Sequence, residues 1–327
     1  MSAEHDIGFR SMGSDIRLIV GRPLRRADPS AAQAAEIQRE FIEQFAARMS
    51  RFVAESELSR LNADRRSEVP ASPLLRELVG AGIWAARRTG GLVDPTLLGE
   101  LEAAGYSRSL IDERPASLRD ALAAAPPRRP ARAHPARRWR QLEVDRQRGV
   151  IRRRPGIRID SGGIGKGLAA DIVAFQLCGH ARYVVDCGGD IAVGGVEALV
   201  RPYEIEVEHP LSGETIHTLR VASGGVATSG LNVRVWRGTD GTFGHHLLDP
   251  ATGRPAWTGL IGATALGASV LEAETLTKAA LLLGPAGARR VLAEQGGLVV
   301  HDDGDVELIG PIDEPARMRL RVLAKAA

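Results

Sequence analysis

The chain has 327 residues, of which 44% are hydrophobic, and a formal net charge of +3 at pH 7. These values allow a sizeable buried core, and no apolar run approaches the length that a membrane-spanning helix needs. The start of the chain has neither a basic segment followed by an apolar one nor a lipid-attachment cysteine, so we expect a cytoplasmic protein without a signal peptide.

The first half of the chain contains both strand and helix patterns. Residues 15–20 predict an opening strand, and apolar residues at helical spacing predict a helix over residues 31–49. A second helix is predicted over residues 73–89, with Ser72 as its N-cap and a glycine pair at its end. The other elements predicted here are a short helix over residues 118–124 and strands over residues 141–144 and 150–159.

Strand patterns dominate the second half. Strands are predicted over residues 183–187, 191–193, 203–208, 217–221, 226–228, 245–247 and 262–266, helices over 168–177, 269–283 and 286–294, and a closing hairpin over 298–301 and 306–309. This order indicates the α+β class, with mixed or antiparallel sheets flanked by helices. Because no repeat and no clear linker divides the chain, we expect one two-lobed catalytic unit over residues 1–313, followed by a C-terminal tail over residues 314–327.

An Arg-, Pro- and Ala-rich segment over residues 113–140 interrupts this pattern. Basic residues at this density can bind nucleic acid, but Trp139 is the only tryptophan, tyrosine or phenylalanine there and no nucleic-acid-binding module is recognisable. We therefore favour a solvated, partly irregular connection and expect no nucleic-acid partner.

The most informative motif is a glycine-rich turn between a predicted strand and a predicted helix. It runs Asp160-Ser-Gly-Gly-Ile-Gly-Lys-Gly-Leu-Ala-Ala-Asp171. Glycines let the backbone approach a bulky group, and a helix N-terminus presents N–H groups to an anion. Lys166 adds a mobile positive charge suited to phosphate. Since the spacing matches neither the Walker loop nor the dinucleotide fingerprint, the turn is either a ligand cradle or a tightly packed structural turn.

Two adjacent histidines, His245 and His246, precede an Asp-Pro turn. On a strand their side chains point to opposite faces, so at most one can face a given pocket. Such a histidine either hydrogen-bonds the turn or acts as a general base, because imidazole titrates near neutral pH. Asp249 either orients His246 or caps the turn, and we favour the turn.

Several blocks of the sequence resemble those of the ApbE family in residue type and in order. They are Met12-Gly-Ser14, the stretch from Phe52 to Asn62, Gly91-Leu-Val-Asp-Pro-Thr96, the glycine turn, Val185-Asp-Cys-Gly-Gly-Asp190, Ala227-Thr-Ser-Gly230 and His246-Leu-Leu-Asp-Pro-Ala-Thr-Gly-Arg-Pro255. The resemblance implies an ApbE-type, T-fold-like domain over residues 1–313. It also implies an FAD:protein FMN transferase, which transfers the FMN moiety of FAD to a Ser or Thr of a target protein and releases AMP.

The same resemblance assigns roles to individual residues. His246 and Lys166 are implied to be catalytic, as the base and as a charge on the diphosphate. The implied FAD-binding residues are Met12, Gly13, Ser14, Phe52, Asn62, Asp94, Asp160, Gly163, Lys166, Asp171, Ser229, His246 and Thr264. Phe52 stands where relatives commonly have tyrosine and Asn232 where they often have an aromatic residue, whereas Arg234 matches.

The resemblance further implies a Mg²⁺ site, and here the sequence departs from the family. Relatives carry an Asp and a Thr one helical turn apart, which bind the ion together with a backbone carbonyl of the glycine turn. The matching positions hold Glu274 and Lys278. A protonated lysine cannot ligate a cation, so the implied ligands are Glu274 and the Gly165 carbonyl. Lys278 marks the position only; it is either an intrahelical partner of Glu274 or a replacement for part of the metal's charge.

Three functions remain open at this point. The first and favoured one is a flavin transferase that acts on a target protein carrying an acceptor Ser or Thr. The second is a protein that binds FAD without transfer, and the third is a metal-dependent FAD pyrophosphatase that gives FMN and AMP. All three require an FAD site.

Overall fold

The computed structural model describes residues 4–110, 114–238 and 241–312. The α-helices in these ranges are α1 (Ala31–Met49), α2 (Glu57–Ala63), α3 (Pro73–Arg88), α4 (Leu98–Ala103), α5 (Leu118–Ala123), α6 (Gly165–Gln176) and α7 (Val270–Leu292). The first strands are β1 (His5–Ser11), β2 (Ser14–Val20), β3 (Glu68–Pro70), β4 (Leu142–Asp145), β5 (Val150–Arg153), β6 (Tyr183–Cys187), β7 (Asp190–Gly194), β8 (Tyr203–Glu208) and β9 (Thr215–Val221). The remaining strands are β10 (Gly224–Gly230), β11 (Val235–Arg237), β12 (Phe243–His245), β13 (Leu248–Asp249), β14 (Arg254–Pro255), β15 (Leu260–Gly267), β16 (Gly297–His301) and β17 (Val306–Ile309).

The largest sheet has eight strands in the order β1-β2-β6-β7-β10-β15-β16-β17. Its neighbouring strands are antiparallel, with registers such as Ile16 opposite Cys187 and Ala227 opposite Asp190. The register brings the β1–β2 turn, the β6–β7 turn and the C-terminal end of β10 to the same end of the sheet. That end is where the candidate site is found.

Both hairpin turns at this end require left-handed backbone. Met12 and Gly13 have φ values of 50° and 75°, and Gly188 and Gly189 have values of 66° and 85°. Such angles suit two-residue hairpin loops, whose twist matches that of the flanking strands. A Cβ on Gly188 would lie 2.4 Å from the Cβ of Ser14, so glycine is also needed there to let the two turns lie side by side.

Helices α1, α6 and α7 form one layer against the sheet. Helix α1 contacts β1 and β2, α6 contacts β6 and β7, and α7 contacts β10 and β15; α6 also contacts both other helices. Buried side chains between these layers include Leu18, Ile42, Val173 and Val185. The layer fixes the N-terminus of α6 beside the sheet end described above.

A second hydrophobic cluster lies around a small antiparallel sheet of order β3-β5-β4, which packs with α3. Its buried members include Phe45, Leu58, Leu78, Ile151 and Ile159. Since Phe45 comes from α1 and Ile159 immediately precedes the glycine turn, this cluster supports the opposite side of the same site.

The predicted α+β class, with antiparallel sheets flanked by helices, is confirmed. Ser72 caps α3 as predicted, since its hydroxyl accepts a hydrogen bond from the Leu75 N–H at 3.2 Å. The predicted break near residue 284 is also present, because Gly284 has non-helical angles (φ 68°) within α7 and Pro285 follows it.

Several predicted boundaries were wrong. The strand predicted over residues 150–159 ends at Arg153, because Pro155 and Gly156 form a turn in which Gly156 has a φ of 87°. The strand predicted over residues 245–247 ends at His245. Strand β1 and the short helices α2 and α4 were not predicted.

The Arg-, Pro- and Ala-rich connection is irregular over much of its length but is anchored to the rest of the protein. The Ala131 N–H donates to the Leu282 carbonyl at 2.7 Å, and the Arg129 N–H donates to the Trp257 carbonyl at 2.9 Å. Trp139 is buried rather than available for stacking.

Residues 111–113 and the predicted tail over residues 314–327 lie outside the described residues. In the described part of the chain, no helix combines the length and apolar character needed to cross a membrane.

Candidate functional site

A cleft of about 550 Å³ opens at the sheet end that carries the two hairpin turns. The glycine turn, the C-terminal end of α1, the end of β10 and the residues after β12 border it. Its apolar lining includes Phe45, Met49, Leu92, Leu247 and Leu282, and its charged lining residues are Arg51, Asp94, Asp160, Lys166, Arg234 and Lys278. A cleft of this size and mixed lining suits a small-molecule ligand that has both apolar and charged parts.

The residues predicted for the site fall into two groups. Those that line the cleft are Met12, Gly13, Ser14, Phe52, Asp94, Asp160, Gly163, Gly165, Lys166, Ser229, His246 and Lys278. Those that lie behind its wall are Asn62, Asp171, Thr264 and Glu274. The structure therefore brings the first group together around one cavity, and the second group supports it.

Asn62 and Asp171 hold the ends of elements that form the wall. The Asn62 side chain donates to the Ile159 carbonyl at 2.8 Å and accepts from the Ile159 N–H at 2.7 Å, which fixes the segment entering the glycine turn. The Asp171 carboxylate accepts from the N–H groups of Val270 and Leu271 at 2.7 and 3.0 Å and so caps α7. Burial raises the pKa of Asp171 to about 6, against the opposing effect of these hydrogen bonds.

Two hydroxyl pairs join β10 to its neighbours. The hydroxyls of Thr228 and Thr264 are 2.9 Å apart across β10 and β15. The hydroxyls of Ser229 and Thr277 are 2.8 Å apart and connect β10 to α7. Thr264 thus acts through Thr228, which lines the cleft, rather than lining the cleft itself.

The glycine turn places the positive end of α6 at the cleft. The Gly165 N–H donates to the Ser161 carbonyl at 2.8 Å, and the Gly162 N–H donates to the Asp160 carboxylate at 2.9 Å. The N-cap residue of α6, Ile164, has no side-chain hydrogen bond to the helix, but the Gly167 N–H in the first turn donates to the Glu274 carboxylate at 3.0 Å. A helix N-terminus carries a partial positive charge, so the turn offers the cleft an electrostatic site for an anion.

Lys166 is held by a buried carboxylate. Its Nζ donates to the Asp190 carboxylate at 2.5 Å and to the Gly188 carbonyl at 3.2 Å, and Asp190 is only 1% exposed. Burial lowers the pKa of Lys166, but the attraction of Asp190 and of Glu274 raises it more, so the pKa lies above its usual value. The sequence suggested a mobile charge; the structure shows a fixed one.

A second lysine–carboxylate pair lies beside the first. Lys278 Nζ donates to Oε1 of Glu274 at 2.9 Å, and Oε2 of Glu274 accepts from the Gly167 N–H at 3.0 Å. Glu274 is completely buried and Lys278 is 8% exposed, so this is not the solvent-exposed intrahelical pair that the sequence left open. The pair ties α7 to the first turn of α6.

The Glu274 site does not fit the implied Mg²⁺. The ion requires a near-octahedral set of oxygen ligands, whereas both oxygens of Glu274 already accept hydrogen bonds and one of the donors is an ammonium. Within residues 4–110, 114–238 and 241–312, no group of three or more His, Cys, Asp or Glu side chains is arranged to hold a metal ion.

The two histidines have different surroundings. The His245 ring is fully buried and meets the Trp257 ring edge to face, with centroids 4.6 Å apart, whereas His246 lines the cleft. Burial lowers the pKa of both imidazoles to about 3, and for His246 the positive charges of Lys278 and Arg234 add to this effect. His246 is therefore neutral at pH 7 and can accept a proton. The Asp249 carboxylate instead accepts from the Arg132 and Ala251 N–H groups, which supports its turn-capping role.

The burial of His245 predicts a specific pH dependence of stability. A histidine with a pKa near 6.5 when unfolded and about 3 when folded binds more protons in the unfolded state, so the free energy of unfolding falls as pH drops below 6.5. Between pH 7 and pH 5 this amounts to about 2 kcal/mol for one such histidine. His245→Phe, which keeps a ring against Trp257, is expected to remove that part of the pH dependence in urea unfolding. Equal pH dependence in both proteins would contradict the prediction.

Phe52 was predicted for the site, but the Arg51 and Tyr106 side chains that lie against it on the cleft wall were not. The Arg51 guanidinium lies 4.1 Å from the Phe52 ring centroid and 4.6 Å from that of Tyr106, and it forms a 2.8 Å ion pair with Asp160. The Tyr106 ring also stacks on Trp236, with centroids 5.7 Å apart. For Tyr106, the available sequence signal was the scarcity of aromatic residues, which are 4% of the chain. Of these rings, Phe52 and Tyr106 line the cleft, where they offer apolar surface to a ring system.

Fold and site together define an α+β protein with a cleft at the end of an antiparallel sheet, lined by a glycine turn, two lysines and a neutral histidine. The sequence model of the ApbE family matches residues 12–300, and the chain belongs to this family. The resemblance inferred from the sequence blocks is thereby confirmed.

Individual relatives agree with this assignment. The FAD:protein FMN transferase of Klebsiella pneumoniae (strain 342) is 29% identical over 76% of this chain and 70% of its own length. That of Salmonella typhimurium (strain LT2) is 26% identical over 81% of this chain and 76% of its own length. Among solved structures, the ApbE protein of Thermotoga maritima superposes with a TM-score of 0.75 at 24% identity, covering 94% of this chain and 97% of that one. The flavin transferase ApbE of Vibrio cholerae gives 0.71 at 22% identity, with 94% and 98% covered. These structures confirm the ApbE-type fold.

Proposed function

We propose that this chain transfers the FMN moiety of FAD to a Ser or Thr hydroxyl of a target protein and releases AMP. The observation that carries the proposal is that the glycine turn, Lys166, Lys278 and His246 all line one cleft in a chain of the ApbE family. The relatives named FAD:protein FMN transferase support the same activity. A cytoplasmic location and the division into a catalytic domain and a tail stay predictions.

The cleft matches the parts of FAD. Its apolar and aromatic lining, which includes Met12, Phe52 and Tyr106, suits the flat rings of the substrate. The helix N-terminus at Gly165 and the two ammonium groups suit the diphosphate that joins the rings. The substrate would thus be held with its phosphorus atoms near His246.

The reaction is a substitution at the FMN-side phosphorus. The acceptor hydroxyl oxygen forms a new bond to this phosphorus, the bond from phosphorus to the bridging oxygen breaks, and AMP leaves with that oxygen. The imidazole of His246, which is neutral at pH 7, accepts the hydroxyl proton. Since a pKa near 3 makes it a weak base, this role requires the negative charge of the bound diphosphate to raise that pKa in the complex. Lys166 and Lys278 stabilise the charge that builds up on the phosphate oxygens. No step depends on a magnesium ion, because the residues at the predicted magnesium site do not fit one.

The products distinguish this function from the alternatives. The protein is incubated with FAD, with and without a candidate acceptor protein, and AMP and free FMN are quantified by chromatography. AMP formation that requires the acceptor and exceeds free FMN supports transfer. Equal amounts of free FMN and AMP without acceptor would instead indicate a pyrophosphatase, and FAD binding without either product would indicate a binding protein.

Gly163 tests whether the glycine turn is a ligand cradle or only a packed turn. A Cβ at this position would lie 3.9 Å from Cδ and Cε of Lys278, an ordinary contact, so Gly163→Ala is expected to fold and to bind FAD. Gly163→Val adds two methyl groups toward the cleft and Lys278. A steric cost of about 1–3 kcal/mol, typical of overpacking, corresponds to roughly a 5- to 150-fold loss of FAD affinity where the methyl groups meet the ligand. Fluorescence titration with FAD, alongside a thermal melt, measures both effects; a Gly163→Val protein with a lowered Tm but normal FAD affinity would favour the packed turn.

A further inference from the structure

We propose that Lys278 supplies the cleft with a built-in cation for the FAD diphosphate, so that FAD binding and FMN transfer by this chain need no divalent metal. The inference rests on the proposed function, because it names the group that neutralises the substrate of that reaction. It also explains why the Glu274 site does not fit a metal ion.

Lys278 has the position that this role requires. It lies on α7 but lines the cleft, and its Cδ and Cε would be 3.9 Å from a Cβ placed on Gly163. Its side chain therefore runs along the glycine turn, beside the N-terminus of α6. The ammonium of Lys278 would therefore lie next to a diphosphate bound at the N-terminus of α6.

Glu274 fixes the ammonium in place. Its carboxylate binds Lys278 Nζ through one oxygen and the Gly167 N–H through the other, and it has no exposed surface. An ammonium has three N–H donors, and the contact with Glu274 uses one of them. The others are available to phosphate oxygens, which makes Lys278 a preorganised point charge rather than a flexible surface lysine.

The charges around the cleft also favour a bound anion. The lining cations are Arg51, Lys166, Arg234 and Lys278, whereas the lining carboxylates are Asp94 and Asp160. Glu274 and Asp190, which balance the two lysines, lie behind the wall and are at most 1% exposed. The ammonium groups of Lys166 and Lys278 therefore face the cleft, whereas the two carboxylates that pair with them do not.

The test is the affinity for FAD in the absence of divalent cations. FAD is titrated by fluorescence quenching into the wild-type protein with excess EDTA and, separately, with Mg²⁺. We expect the two dissociation constants to agree within about twofold, because the fixed ammonium already supplies the charge. A wild-type affinity that collapses in EDTA and returns with Mg²⁺ overturns the proposal without the use of any variant.

Variants of Lys278 test the charge itself. Lys278→Gln can still donate to Glu274 but carries no charge, and we expect its FAD affinity in EDTA to fall at least about tenfold. Lys278→Arg keeps the charge and is expected to retain most of the metal-free affinity. Lys278→Thr places an oxygen beside Glu274, and its FAD affinity is expected to become dependent on Mg²⁺. The control is Arg182→Gln, which removes a buried cation paired with Glu4 outside the cleft and leaves FAD affinity unchanged.

The binding readout separates this inference from the proposed function. If the Lys278→Gln protein melts normally and binds FAD in EDTA as tightly as the wild type does, the role of Lys278 is overturned, even if transfer is observed. Metal-free FAD binding that depends on Lys278 supports that role even if no acceptor is ever modified, and in that case only the transferase proposal fails.

Discussion

Replacing His246 with alanine is expected to slow FMN transfer by about 10²- to 10⁴-fold, the usual contribution of a general base. His246 is the histidine that lines the cleft, and burial together with the charges of Lys278 and Arg234 holds its pKa near 3. The imidazole is therefore unprotonated at neutral pH, and the charge of the bound diphosphate is expected to raise its pKa so that it can accept the acceptor's proton. Because the role is in proton transfer, the dissociation constant for FAD should change little. Single-turnover transfer assays and FAD titrations measure the two effects separately.

His245 provides the matched control. Its ring is buried against Trp257 and does not line the cleft, so His245→Phe should transfer FMN at nearly the wild-type rate. Equal losses of rate in the two variants would refute the assignment of His246 as the base. So would a His246→Ala protein that no longer binds FAD.

Replacing Glu274 with alanine is expected to lower the free energy of unfolding by about 3–5 kcal/mol, because it leaves a buried ammonium without its counter-charge. Glu274 is completely buried, Lys278 is 8% exposed, and the carboxylate also accepts the Gly167 N–H that begins α6. The substitution thus removes an ion pair and a contact between α6 and α7 together. Urea unfolding at constant pH measures the change.

The double variant Glu274→Met/Lys278→Met is the control for this effect. Replacing both members of a buried ion pair with apolar residues of similar volume is often nearly neutral, so the double variant should be more stable than Glu274→Ala. If Glu274→Ala costs less than about 1 kcal/mol, the pair behaves as an exposed one and the buried geometry described here is contradicted.

The sequence predicted those elements whose signals are local. Ser72 and Pro73 mark the start of α3, and Gly284 and Pro285 mark the break in α7, since capping and helix-breaking depend on adjacent residues. Strand β1 was missed because only Ile7 and Phe9 are clearly apolar in His5–Ser11, and its stability comes from pairing with β2. Sequence patterns do not report such tertiary pairing.

The sequence predicted many of the residues that belong to the candidate site, but not how deeply they are buried or which distant residues they contact. Family blocks identified many of the residues that line the cleft, and the spacing of Glu274 and Lys278 on one helix face made their pairing one of two open interpretations. What could not be inferred was their burial, which changes a weak surface pair into a fixed charge. The contacts of Lys166 with Asp190 and of Arg51 with Tyr106 join positions 24 and 55 residues apart. Their geometry depends on the packed tertiary structure.

The most direct test of the central claim is the intact mass of an acceptor protein after incubation with this chain and FAD. We expect a gain equal to one FMN phosphoester, located on a Ser or Thr by fragmentation and absent when that residue is replaced by alanine. AMP should appear in an equal amount. An acceptor of unchanged mass, in a reaction where all cleaved FAD is recovered as free FMN and AMP, would contradict the claim that this cleft transfers FMN to protein.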